Sequence, residues 1–214
     1  MGVLVCLFCQ YVRFQIMKAS RICFTLIAAW LTITNTQICA AFSEEDLKHL
    51  KAYNSCPGCD LTKANLSWLD LREADLRGAD LRKAQLIRTN LRRTNLAKAN
   101  LTDANLLAAS LVGAELTDTN FSKANLRAAN MAGNDLQGTN FRGACLVGTN
   151  LKNADLSHAD LRDTWMYSAQ LEETILTGAD MSTSKVWYHQ IKKAILCNTN
   201  TRFWNVVNSG CVAM

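Results

Sequence analysis

The sequence predicts an all-β solenoid, a four-sided parallel β-helix with a short α-helical cap at each end. Three observations predict it. An apolar residue falls at every fifth position, a small residue sits two places before each, and a bulky inward pair is spaced by twenty. From Leu61 the beat runs through Leu66, Leu71, Leu76 and Leu81, then Phe121, Met131, Phe141 and Leu161, to Leu176 and Met181: 25 consecutive units without a skip. The small residues include Ala64, Ala74, Ala79, Thr89, Thr94, Ala99, Thr119 and Thr139, so the unit reads A-(D/N)-L-x-x. Five residues advance an α-helix by about 140° and flip a strand to its other face, so neither element keeps these leucines in one core. A chain that turns a corner every five residues does, and a fixed short period marks a solenoid.

Four sides of five residues make a coil of 20, so the 25 units give a little over six coils, roughly 30 Å of rod at about 4.8 Å per stacked backbone. Phe121 and Phe141 are then neighbours in one inward column, between Leu101 and Leu161, with Thr119 and Thr139 beside them. Their spacing favours four sides over three. A narrow square interior has no room for two large side chains per side, which explains the small residues. Leu69 and Asn134 depart from that rule and predict local bulges or strain.

The N-terminus reads as an export signal over residues 1–41, with Met17 as an alternative start. Lys18 and Arg21 precede the apolar run Ile22 to Leu31, a polar stretch follows, and Cys39-Ala40-Ala41 supplies small residues for cleavage after Ala41. Ten apolar residues are too few to span a bilayer, which needs about 20. A rival reading keeps Val3 to Leu31 as an uncleaved membrane anchor. Residues 42–59 form the entrance: Ser43-Glu44-Glu45-Asp46 resembles a capping box, with Leu47, Leu50 and Tyr53 following at helical spacing. Residues 60–181 are the repeat, and 182–214 a C-terminal cap. In that cap Val186 to Leu196 predicts an amphipathic helix presenting Trp187, Ile191 and Ile195, with Phe203-Trp204 folding back beside it.

The formal charge of +5 suggests a polyanion partner until it is mapped. Residues 60–181 carry 14 Lys/Arg against 15 Asp/Glu, and the basic excess sits in the leader and in a tail without acids. Nucleic acid is therefore not the expected partner. A basic collar of Arg72, Arg77, Arg82, Lys83, Arg88, Arg92 and Arg93 wraps the first coils. Glu73, Asp75 and Asp80 are interleaved, which favours a salt-bridged solvated surface over an anion site. Near the other end Trp165 and Tyr167 stand at outward positions with Trp187 one coil on. Either the C-terminal tail covers this patch, or it docks a protein partner or a second copy. Arg72, Arg77, Arg92, Trp165, Tyr167 and Trp187 are the candidate partner surface.

Outside the leader the cysteines are Cys56, Cys59, Cys145, Cys197 and Cys211. Export permits disulfides, and Cys197 with Cys211 would close a loop around Asn198 to Gly210. Cys145 is expected as a free, partly exposed thiol. Cys56-Pro57-Gly58-Cys59 reads as a structural disulfide or packed cap. A redox dithiol would want a helix starting at its first cysteine, and zinc would want four ligands. His49, His158 and His189 fall in the cap, at an outward position and in the C-terminal cap, tied to no nucleophile. The aspartates before the centres are read as satisfying corner backbone groups. No catalytic residue, metal site or cofactor is expected.

These residues resemble the pentapeptide-repeat family, whose motif is A(D/N)LXX. The resemblance covers about 120 residues and implies a right-handed quadrilateral β-helix. It does not fix chemistry. Some members mimic DNA with a strongly acidic rod and bind DNA gyrase; this rod departs from that pattern, being neutral overall. Exported members resemble this chain in a Cys-Pro-Gly-Cys entrance and a tail closed by two cysteines. The functional expectation is a non-enzymatic exported scaffold or protein-interaction module, in the periplasm, thylakoid lumen or secreted. The alternatives are a cytosolic gyrase-binding DNA mimic and a thiol-disulfide redox protein using Cys56 and Cys59.

Overall fold

Each five-residue unit closes a β-turn. The amide of the small residue donates back to the carbonyl of the preceding centre, as from Ala64 to Leu61 at 3.0 Å and from Ala124 to Phe121 at 3.0 Å. The second residue after each centre from Leu61 to Leu176 takes positive φ, as at Lys63, Trp68, Glu73 and Lys83, which is the type II requirement. Outside glycine this conformation costs roughly 1–2 kcal/mol per residue, so stacking must over-determine it. Asp and Asn before the centres help: Asp60, Asn65, Asn95 and Asn120 each accept the amide two residues on at 3.0–3.1 Å.

The computed structural model describes residues 43–201, which lie in a unit spanning Ala41–Met214. Residues 1–41, read above as an export signal, and Phe203-Trp204 and Cys211 fall outside the described residues. Parallel bridges join residues before the centres to their equivalents twenty positions on, from Ser55 with Asp75 to Ile175 with Ile195, with breaks at Glu115 and Gln170. The chain is thus a right-handed quadrilateral β-helix. Among the described residues only β1 (Asp180–Met181) and β2 (Asn200–Thr201) are long enough to pair as strands. The four walls are named here by their first repeat centres: wall one from Leu61, wall two from Leu66, wall three from Leu71 and wall four from Leu76.

The centres form the core. Leu61, Leu66, Leu76, Leu81 and the rest are buried, and Phe121 and Phe141 stack nearly parallel, 5.3 Å between centroids and 4° between planes. Buried threonines tie coil to coil, as Thr89 Oγ1 donates to the Leu66 carbonyl at 2.8 Å and Thr149 Oγ1 to Leu126 at 2.7 Å. Leu69 produces no bulge. It sits half-buried against the first coil, and the Asp70 to Asn90 bridge above it is intact.

Asn134 does break the ladder. Its side chain is buried, donating to the Leu111 carbonyl at 2.9 Å and accepting from the Gly113 amide at 2.8 Å. The first bond copies what a threonine makes there; the second replaces a backbone bond. The bridge expected between Glu115 and Asp135 is missing among the described residues, and the amides of Leu116, Asp118 and Asp135 make no ladder bond. The carboxamide is longer than a threonine hydroxyl, and its oxygen takes the Gly113 amide that would otherwise bond to the next coil's backbone. Thr139 Oγ1 then fails to reach the Leu116 carbonyl and is buried without a partner.

At the entrance α1 (Glu44–Tyr53) is capped by Ser43, whose hydroxyl accepts the Asp46 amide at 3.1 Å. It docks through buried Leu50 and through Asp46 Oδ2, which accepts the Asp60 amide at 2.9 Å. Tyr53 does not join Leu50. It is exposed and packs on the His49 ring at 4.7 Å, because the chain leaves the helix at Asn54 with φ 50°. Cys56 already occupies a centre position and is buried.

The far end corrects two expectations. The helix expected over 186–196 is the single turn α2 (Tyr188–Ile191), and the solenoid does not stop at Met181. Val186, Ile191, Leu196 and Thr201 are buried and continue the five-residue beat, whereas Trp187 and Ile195 are exposed. Inward stacking on the coil below outcompetes the helical 187/191/195 pattern. Where α2 interrupts the ladder, Gln190 repairs it: its Nε2 donates to the carbonyls of Met166 and Ala169 at 3.0 Å, and its Oε1 accepts the Trp187 amide.

Candidate interaction surfaces

The sequence D-L-R places an aspartate and an arginine on either side of one inward leucine, and alternate residues of an extended segment point the same way. In the collar this makes staples. Arg72 closes on Asp70 at 2.7 Å, Arg77 on Asp75 at 2.7 Å and Arg82 on Asp80 at 2.6 Å, each through Nε as well as Nη2. Each carboxylate also accepts its arginine's own amide at 3.1–3.3 Å. Hydrogen bonding by the arginine side chain holds these aspartates below their usual carboxylate range and raises the guanidinium groups. Asp160 and Arg162 repeat the staple at 2.6 Å. Arg93 reaches Glu73 of the coil below at 3.4 Å, and Arg88 lies over the Trp68 ring at 4.8 Å. The collar is therefore largely answered from within, Arg72 and Arg77 each being paired with a carboxylate while their side chains stay more than half exposed. Arg92 is exposed on wall three.

The aromatic candidates do come together. Trp165 meets Tyr167 edge-on at 6.2 Å, and Tyr167 lies 5.6 Å from Trp187. Lys185 Nζ sits 3.5 Å above the Trp165 ring. Trp165 is 45% exposed and Trp187 57%. Cys145, in the column below Trp165, is a half-buried free thiol.

Cys56 and Cys59 are bonded at 1.93 Å with Cα atoms 5.5 Å apart. Asp46 and the two sulfurs form a close trio of potential ligand atoms. As a disulfide the cysteines offer no thiolate, so the trio as it stands is no zinc centre. The helix beside them precedes the first cysteine instead of starting at it. Cys197 is also disulfide-bonded. His158 packs against Gly178, where an added Cβ would fall 2.6 Å from its Nδ1.

Sorting outward residues by wall exposes a feature that linear inspection missed. All 15 acids of residues 60–181 lie on walls one, three and four. Wall two, from Ala64-Asn65-Leu66-Ser67-Trp68 through the unit around Val186, has none. It carries Trp68, Leu107, Trp165 and Trp187, four of the most exposed large apolar side chains. The readable signal was the period of 20 applied to charge instead of to the core.

The architecture thus defines a closed, side-chain-filled β-helix whose chemistry faces outward from four flat walls. The pentapeptide-repeat family model matches residues 59–96, 109–148, 134–169 and 144–183 in eight copies, more than half the chain, and the protein belongs to that family. Among solved structures it is similar to HetL, a pentapeptide repeat protein involved in heterocyst differentiation regulation from the cyanobacterium Nostoc sp. strain PCC 7120. The identity is 30% over 72% of this chain and 74% of that one, with a TM-score of 0.38. A pentapeptide repeat protein of the Arabidopsis thaliana thylakoid lumen matches at 24% identity over 59% of this chain and 70% of that one, TM-score 0.30. The plasmid-mediated fluoroquinolone resistance protein QnrB1 matches at 19% over 64% and 81%, TM-score 0.32. No curated protein matches the sequence.

Proposed function

We propose that this protein is a non-enzymatic, exported scaffold or interaction module that offers rigid, patterned walls to a protein partner or a second copy. The ladder, which runs the length of the described coils with breaks at Glu115 and Gln170, is the observation that carries this reading. Backbone groups of each wall are spent on the neighbouring coils, as from Leu86 to Asn105 at 2.7 Å and from Asn105 to Ala84 at 2.9 Å. Outward side chains therefore stand on a stiff frame, and recognition by pattern costs little ordering entropy. The Cys56–Cys59 disulfide and the oxidised Cys197 suit an oxidising compartment, as does the leader-like sequence over residues 1–41. Among the described residues no helix is long and apolar enough to cross a membrane.

Sequencing the mature N-terminus in fractionated cells tests export, and a start near Phe42 is expected. Photo-crosslinking from a probe at Arg92 tests the partner reading and should capture a discrete species. Retention of residues 1–41 in a cytosolic fraction would instead favour the gyrase-binding alternative, which lacks the acidic rod it needs.

A further inference from the structure

We propose that wall two is a docking face for the surface of a bilayer containing anionic lipids, so that the rod lies against a membrane and leaves its other walls to protein partners. The inference goes beyond the scaffold reading and does not require that a protein partner exist.

Charge complementarity carries it. On wall two Arg88, Arg127 and Lys185 stand outward, none of them in an ion pair with a carboxylate among the described residues, and the wall offers no acid to answer them. Elsewhere acids stand among the cations, and Arg72, Arg77, Arg82, Arg142 and Arg162 all meet carboxylates. The corner leading into wall two mixes both signs, Lys63, Lys83 and Lys123 with Asp103 and Asp163, so the cationic character belongs to the wall itself. A second copy of this wall could not neutralise any of the three cations in any register, because it too carries no acid. The occupant must bring negative charge of its own.

Shape and residue type narrow the occupant further. The wall is flat, and its amides and carbonyls are bonded along the stack, so it has no free strand edge for a peptide to extend. Trp68 stands near one end and Trp165, Tyr167 and Trp187 near the other, about 24 Å away for the first two at five coil spacings and about 29 Å for Trp187 at six. Tryptophan and tyrosine favour the membrane–water interface, where an apolar ring meets polar headgroups. Basic side chains beside them gain from anionic headgroups. Trp165 with Lys185 above its ring at 3.5 Å, and Trp68 with Arg88 at 4.8 Å, place both chemistries together at both ends of one plane.

The test is co-sedimentation of the purified mature protein with vesicles of phosphatidylcholine alone or with phosphatidylglycerol. Binding to the mixed vesicles is expected, weakened by high salt and at least tenfold by Arg88→Glu with Arg127→Glu and Lys185→Glu. The matched triple Arg92→Glu, Lys98→Glu and Lys152→Glu makes the same charge change on other walls and should leave binding within about twofold. Should the first triple fold poorly by circular dichroism, Arg127→Gln with Lys185→Gln serves in its place. The proposal is overturned if mixed vesicles bring down no protein, if both triples lose binding equally, or if pure phosphatidylcholine binds as well. Retention on an immobilised acidic polypeptide without vesicle binding overturns it in favour of an acidic protein. Crosslinks from Arg92 are unaffected by any of these outcomes, so failure here is distinct from failure of the scaffold reading.

Discussion

At the N-terminal end of the rod, arginines fold back on the aspartates two residues before them, and a dense cluster of cations presents little unanswered charge. At the C-terminal end Trp165, Tyr167 and Trp187 stand beside a lysine with no carboxylate near enough to pair. Both regions rest on the same interior and the same turn. The difference lies in what the neighbouring outward position holds: an aspartate two residues away closes a staple, whereas a tryptophan leaves the cation available. Density of charge along a sequence is thus a poor guide to a binding surface, and its unpaired remainder a better one.

The largest expected effect tests whether the two ends share one cooperative interior. Phe141→Ala removes half of the stacked pair between them and should cost about 3–5 kcal/mol in chemical denaturation. Hydrogen exchange should show the C-terminal coils loosening before the collar; equal loosening throughout would mean that the ends are not separable. A smaller effect compares two glycines in one column, Gly78 in the collar and Gly178 near the aromatic end, at φ +64° and +68°. Gly78→Ala meets open space and should cost about 1 kcal/mol for the left-handed backbone. Gly178→Ala must also displace the His158 ring and should cost about twice as much by thermal melting; equal costs would show that the ring moves aside freely.

The smallest effect concerns the staples. Asp75 and Asp80 titrate lower folded than unfolded, because their arginines hydrogen-bond the charged form. Their stabilisation is therefore present above the ordinary aspartate value of about 4 and is lost as pH falls through the depressed values. Asp75→Asn with Asp80→Asn should lower the melting temperature slightly at neutral pH, as exposed pairs do, and flatten its fall below about pH 4. An unchanged acid slope would show that the staples are geometric and contribute nothing to stability.

Much of the fold was legible because the inward residues obey one period and the chain has few other ways to bury them. The end of the solenoid was not. Val186, Ile191 and Leu196 continue the beat, but Trp187, Ile191 and Ile195 fit a helix equally well, and only the coil beneath decides between them. Asn134 was legible as an exception, though not in its reach: an amide in a narrow interior coincides with the loss of several bonds along its wall, at Leu116, Asp118 and Asp135. The acid-free wall was hidden because its residues are twenty apart, and charge was read along the chain instead of up the column.

The break at Asn134 has a consequence for how the molecule comes apart. In a linear array each layer is held mainly by the one above and below, so stability is a sum over neighbouring contacts. The joint that lacks the Glu115 to Asp135 bridge is held on three walls only, by Asn100 with Asn120, Asn105 with Asn125 and Ser110 with Asn130. Exchange with solvent and proteolytic nicking are expected to begin on its fourth wall, near residues 113–118 and 134–139. A solenoid that looks uniform along its sequence is thus expected to have one seam where opening starts.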